Sequence, residues 1–361
     1  MRKWSLVLVF ALILGAVGVV GAQEGEGWTC PEGYAGQTLS VYNWSTYVAE
    51  DTISNFEALC GVRVIYDVFE NNEALLARLR TGNPGYDIIV PTDYMVAIMI
   101  SENRLVPLDK SMIPNFANLV PELIDQGFDP GNTYSVPYQW GTQGFGYNIE
   151  RTGVPITSWE QFFAYQGPVA WLDDMRATIG TALLLLGYDP NSENPDEIQE
   201  AAQYLIERGS NVVAIAPDDG QAYLERGEVD VVVEFSGDIF QLMADCECDT
   251  YGYAIPEEGG VVWMDNLAIP VGAPNVALAH VFIDYILDPQ VGADISNYTA
   301  YATPNQAALD LGLIDEELLN NPGIYPSDET LGRLFFVEEV PDAEIYYLDA
   351  WDEIKIRLGR G

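Results

Sequence analysis

Basic side chains are scarce. Of 361 residues, 15 are Lys or Arg and one is His, against 55 Asp and Glu, so the formal net charge is −40 at pH 7. Binding phosphate needs the opposite sign, which argues against nucleic acid or anionic membrane as partners. The single histidine, His280, falls inside an apolar helical pattern and reads as a helix residue rather than a catalyst. There is no G-x-S-x-G, no P-loop and no mature G-x-G-x-x-G, so serine-hydrolase, nucleotide and dinucleotide chemistry lack their sequence signatures. Carboxylate pairs do occur and leave an acid-pair hydrolase as a competing reading, although so acidic a chain contains such pairs by chance.

Cysteine is equally sparse: Cys30, Cys60, Cys246 and Cys248. A lone Cys-x-Cys with no His partner does not make a metal site, and no cofactor is implied. In a secreted chain an even count permits disulfides, here in three possible pairings. The favoured one joins Cys30 to Cys60, tying the mature N-terminus to the end of an early helix. Cys246 and Cys248 either close a small loop or stay reduced.

Long apolar runs are absent beyond the N-terminus. There, Arg2 and Lys3 precede an apolar stretch from Trp4 to Val20, and Val20-Gly21-Ala22 suits signal peptidase. No basic stop-transfer flank follows over Gln23 to Gly27, and no Cys that would carry a lipid directly follows the apolar region. Residues 1–22 are therefore expected to be a cleaved signal peptide, and the mature chain periplasmic or secreted.

What remains is globular: 48% hydrophobic and 19% charged, and long enough for two domains. Strands are expected at Thr38–Tyr42, Val62–Phe69 and Tyr86–Val90, with helices at 50–59, 72–80 and 95–102 between and after them. This alternation is the α/β signature. Two extended segments, Tyr134–Tyr138 and Gly144–Asn148, follow around Gly141 and Gly144. The rhythm then restarts, with strands at 169–172, 212–216 and 229–235, helices at 159–165, 175–186, 194–208, 220–226 and 239–244, and an extended segment at 251–255. Helices are expected again at 275–287 and 290–299, and in the tail around 315–320 and 342–358. Two α/β units joined by extended crossings near Tyr138–Gly144 and Trp263–Leu267 imply two lobes and a cleft. Ligands of such sheets sit beyond the carboxyl ends of the strands.

The second crossing, Val261 to Pro270, is the most informative stretch. In an extended segment alternate residues share a face, so Trp263 and Asp265 point the same way. A π face beside a carboxylate suits an organic cation.

Five segments occur in order: Tyr42-Asn43-Trp44-Ser45-Thr46-Tyr47, Asp87 to Tyr94, Phe235-Ser236-Gly237-Asp238, Trp263 to Pro270, and Tyr301-Ala302-Thr303-Pro304-Asn305. From about Leu39 to the C-terminus the chain closely resembles the spermidine/putrescine-binding proteins of bacterial ABC importers. The resemblance implies a type II periplasmic binding protein fold with two crossing hinge segments. Its expected lobes are 36–140 with 264–308, and 141–263 with 309–361. It further implies a non-enzymatic, monomeric protein that carries a polyamine to the membrane subunits of a permease. The implied ligand residues are Trp44, Ser45, Thr46, Tyr47, Thr92, Tyr94, Asp174, Phe235, Asp238, Trp263, Asp265 and Tyr301. Departures are visible. Thr46 and Ala177 stand where members carry acids, and Phe235 where Trp is usual. Asp238 is an acid of the putrescine-type members. The family's C-terminal polar contact has only Glu338 as a candidate. Fewer acids suggest fewer ammonium groups, hence putrescine or a similar diamine before spermidine. Another amine, an amino acid, a sugar or a ferric ion in the same fold remain alternatives.

Overall fold

The computed structural model describes residues 27–359, so the expected signal peptide lies outside the described residues. The strands are β1 (Thr38–Asn43), β2 (Arg63–Val68), β3 (Ile88–Ile89), β4 (Ser135–Asn148), β5 (Val169–Leu172), β6 (Val212–Ala216), β7 (Val231–Phe235), β8 (Tyr251–Ala254) and β9 (Val262–Ala268). They join in the order β2-β1-β3-β9-β4-β7-β5-β6, with β8 also paired to β4. β1 runs parallel to β2 and β3, and β5 runs parallel to β6 and β7. The two parallel halves are the sheets of the two lobes. β4 and β9, antiparallel to one another, connect them.

β4 corrects the expectation of two separate segments. Its first part pairs with β9 and its second with β7 and β8, so one strand of 14 residues runs through both lobes. Gly141 and Gly144 suggested a break. Instead they permit close approach: a Cβ on Gly141 would stand 2.8 Å from the Trp263 ring, and one on Gly144 2.4 Å from the Ala254 carbonyl oxygen. The strand expected at Tyr86–Val90 shrinks to two paired residues. The helix expected from Ile239 begins earlier, at Ser236, and runs to Cys246.

Each lobe has its own core. One gathers Leu39, Phe56, Ile88, Met95 and Phe282; the other gathers Phe145, Phe162, Trp171 and Tyr347 from the C-terminal helix Glu344–Leu358. Such fully buried aromatic and aliphatic side chains each contribute roughly 1.5–3 kcal/mol. Cys30 and Cys60 are bonded, with Cα atoms 5.2 Å apart, which fastens the N-terminal segment to the helix Thr52–Cys60. Cys246 and Cys248 are bonded to each other. His280 is buried in a helix, with Nδ1 against the Val276 carbonyl oxygen and Nε2 accepting from the Asp109 amide at 2.9 Å. Among the described residues no helix is long and apolar enough to cross a membrane, and no His/Cys/Asp/Glu group could hold a metal ion.

Candidate functional site

The ends of the strands supply the walls of a cleft between the lobes. After β1 come Trp44, Ser45 and Tyr47, and after β3 come Thr92, Asp93 and Tyr94. The opposite wall takes Asp174 from the end of β5, Asp218 from beyond β6, and Phe235 and Asp238 from the end of β7. This follows the rule for parallel sheets, in which the carboxyl ends face the ligand. β9 crosses between the walls, and Val261, Trp263 and Asp265 line the cleft with the period of two of an extended chain. The cavity is about 30 Å³, so the lobes stand nearly closed.

The aromatic residues form a connected box. Trp263 meets Phe235 edge to face at 5.5 Å between centroids and Tyr301 at 5.2 Å; Tyr301 meets Tyr47 at 5.2 Å, and Trp44 lies 6.1 Å from Phe235. Trp44 is fixed by donating its indole N–H to the Val90 carbonyl at 2.9 Å. The helix Ser236–Cys246 can approach Tyr301 because residue 237 is glycine, where a Cβ would lie 2.5 Å from the ring. The Trp263 indole N–H is buried without a hydrogen-bond partner.

The polar half of the cleft is acidic. Its lining includes Asp93, Asp174, Asp218, Asp238 and Asp265 and contains no Lys, Arg or His. Asp174 caps the helix Met175–Leu186 by accepting the Ala177 amide at 3.0 Å, and its other oxygen takes Gln143 Nε2 at 3.0 Å. Asp238 accepts hydroxyls from Thr46 and Tyr301, both at 2.6 Å. Asp265 accepts the Thr92 hydroxyl at 2.7 Å. Burial pushes the Asp265 carboxyl up to about 7, and that of Asp238 up to about 6 despite its two hydroxyl donors. These carboxylates are packed in protein with no protein cation lining the cleft, so an incoming cation would supply what the fold withholds.

The structure brings the expected residues together with one exception. Thr46 lies exposed outside the lining, and its hydroxyl reaches Asp238 instead. Glu338 is also outside: its side chain is exposed and its carbonyl accepts from Arg176 Nη2 at 2.9 Å, while neighbouring Val337 lines the cleft. The sequence reading missed Asn72, Asp93, Asp218, Val261 and Val337. Asp218 had a usable signal, since Asp218-Asp219-Gly220 directly follows a strand of the second parallel set. Asp93 stood inside a recognised segment. Val337 comes from a distant tail and carried no signal.

A family profile described as bacterial extracellular solute-binding protein matches residues 51–324. Among characterised relatives, the putrescine-binding periplasmic protein SpuD of Pseudomonas aeruginosa is 34% identical over 88% of this chain and 92% of its own. The putrescine-binding periplasmic protein PotF of Escherichia coli is 32% identical over 98% of each chain. The spermidine/putrescine-binding periplasmic protein of Salmonella typhimurium is 35% identical over 98% of this chain and 99% of its own. A solved spermidine/putrescine ABC transporter structure from Listeria monocytogenes superposes with a TM-score of 0.82 at 35% identity, covering 88% of this chain and 99% of that one.

Proposed function

This chain belongs to the bacterial extracellular solute-binding proteins, and we propose that it is the polyamine-binding component of an ABC importer, working outside the cytoplasmic membrane. The observation that carries the reading is a cleft lined by aromatic rings and five aspartates without a single base. A linear polyamine is a methylene chain bearing ammonium groups. The rings of Trp44, Phe235 and Trp263 would cover the methylenes and offer π faces worth roughly 0.5–2 kcal/mol per cation contact. Asp174, Asp238 and Asp265 would take the ammonium groups. Closure of the lobes about β4 and β9 would trap the ligand and present the closed form to the permease. The protein does no chemistry on its cargo and acts as a monomer, with lobes at 36–140 with 264–308 and at 141–263 with 309–361.

The ligand is a diamine such as putrescine before a triamine. The two acids that sequence reading missed are already engaged by protein donors. Asp93 accepts the amides of Tyr94 and Met264, one on each oxygen, and Asp218 accepts the Ser45 amide and hydroxyl. Calorimetric titration with putrescine, cadaverine, spermidine and spermine tests the reading, with tightest binding expected for a diamine. Absence of heat and of any thermal shift with all four would overturn it.

A further inference from the structure

We propose that Glu234 is a further affinity-determining residue: it holds a proton while the cleft is empty and releases it when a dication is captured. This rests on the polyamine reading. Glu234 lies on β7 beside Phe235 and is 0% exposed. Oε1 accepts the Phe235 amide at 2.8 Å, and Oε2, which makes no well-formed hydrogen bond, has only the Gly220 amide near it. The carboxyl group occupies space left by a glycine, because a Cβ on Gly220 would stand 2.0 Å from Oε2.

Two other buried carboxylates neighbour it. Asp218 reaches in from the loop before the helix Gly220–Glu225, and Asp238 from the helix Ser236–Cys246. The other groups facing this trio include Ser45 and Thr46 from the first loop, Tyr66 on β2, Tyr301, Tyr253 on β8 and Asp265 on β9. Among the described residues no Lys, Arg or His is a leading influence on the three acids. Three neighbouring carboxyls in a poorly hydrated site without a cation cannot all ionise. Their donors rank them. Asp218 Oδ2 accepts both the amide and the hydroxyl of Ser45, Asp238 accepts two hydroxyls, and Glu234 accepts one well-formed amide bond, from Phe235, with the Gly220 amide a weaker neighbour. The proton therefore resides on Glu234.

An ammonium group seated at Asp238 reverses the local field. Glu234 then ionises, its proton passes to the buffer, and the ligand keeps its own protons. Two positive charges enter and one leaves. A ligand bringing a single charge gains less from this exchange, so the residue favours dications.

Titration with putrescine in buffers of different ionisation enthalpy counts the protons released. The wild type should release protons. Glu234→Gln should release fewer, by up to one per ligand, bind about tenfold more weakly at about pH 8, and approach wild-type affinity at about pH 5. Unchanged release and affinity in the variant would overturn the proposal. If the variant does not fold, carbon-13 NMR of glutamate-labelled protein serves instead, in a Glu73→Gln background because burial also pushes the Glu73 carboxyl up, to about 7, and its signal would otherwise overlap the response. A buried glutamate carboxyl moving from protonated to ionised on putrescine addition supports the proposal, and no such movement overturns it. Absence of putrescine binding would instead defeat the polyamine reading.

Discussion

Thr92 donates its hydroxyl to Oδ1 of Asp265 at 2.7 Å, and the two residues face each other in an antiparallel bridge between the end of β3 and the crossing strand β9. Thr92 is itself held by Asn72, whose Nδ2 donates to the same hydroxyl at 2.9 Å. A rigid chain thus aims the carboxylate without neutralising it. Asp265→Asn keeps the shape and removes the charge. We expect putrescine affinity to fall at least about tenfold, roughly 1.4 kcal/mol, by calorimetry with an unchanged circular dichroism spectrum. Unchanged affinity would remove Asp265 from the binding set.

Proton linkage sets the pH response. Asp265 and Asp238 stand at about 7 and about 6 in the fold against an ordinary 3.8. Between these values the native state binds more protons than the unfolded one, so stability falls as pH rises from about 4 through about 7. The free protein should melt several degrees lower at about pH 8 than at about pH 5, and putrescine should restore most of the difference. Affinity should move the opposite way, dropping about tenfold or more from pH 8 to pH 5 as the ligand meets protonated carboxyls. A flat melting profile would contradict these shifts.

Ser45 and Thr46 clasp the far wall. Ser45 Oγ bonds the carbonyl oxygen and Oδ2 of Asp218 at 2.7 and 2.8 Å, and Thr46 bonds Asp238. These contacts span the lobes and can form only when they are closed. In Ser45→Ala we expect putrescine to dissociate about tenfold faster, with the association rate nearly unchanged, by stopped-flow displacement. An unaltered dissociation rate would show that the clasp does not hold the closed form.

The charge of −40 implies self-repulsion over the whole surface. Raising NaCl from about 0.05 M to about 1 M should raise the melting temperature of the free protein while weakening putrescine binding. The opposing directions separate surface repulsion from cleft attraction. Salt that moves both the same way would count against this division.

Much of the fold was legible because its parallel strands are short apolar runs between amphipathic helices. The expected strands at 169–172 and 212–216 and the helix at 175–186 match the structure residue for residue. β4 was not legible as one strand. Glycine reads locally as a break, whereas here it makes room for Trp263, a residue more than a hundred positions away. The same limit applied to the site. Trp263 and Asp265 could be paired from alternation along one strand, the strand-end rule placed Trp44 and Thr92, and the family resemblance added Asp174. Thr46 could not be resolved as a clasp residue, because its partner Asp238 comes from the other lobe.

The sequence by itself determined the α/β architecture, the Trp263–Asp265 face, the lack of serine-hydrolase, nucleotide and dinucleotide signatures, and the resemblance to the polyamine-binding family. These depend on local periodicity, composition and ordered motifs. Only the tertiary structure decided which acids face one another: that Asp218 joins Ser45, and that Glu234 lies buried against Gly220 near Asp218 and Asp238. Burial and Coulomb interaction depend on distances between segments far apart in the chain, and one-dimensional spacing does not contain those distances.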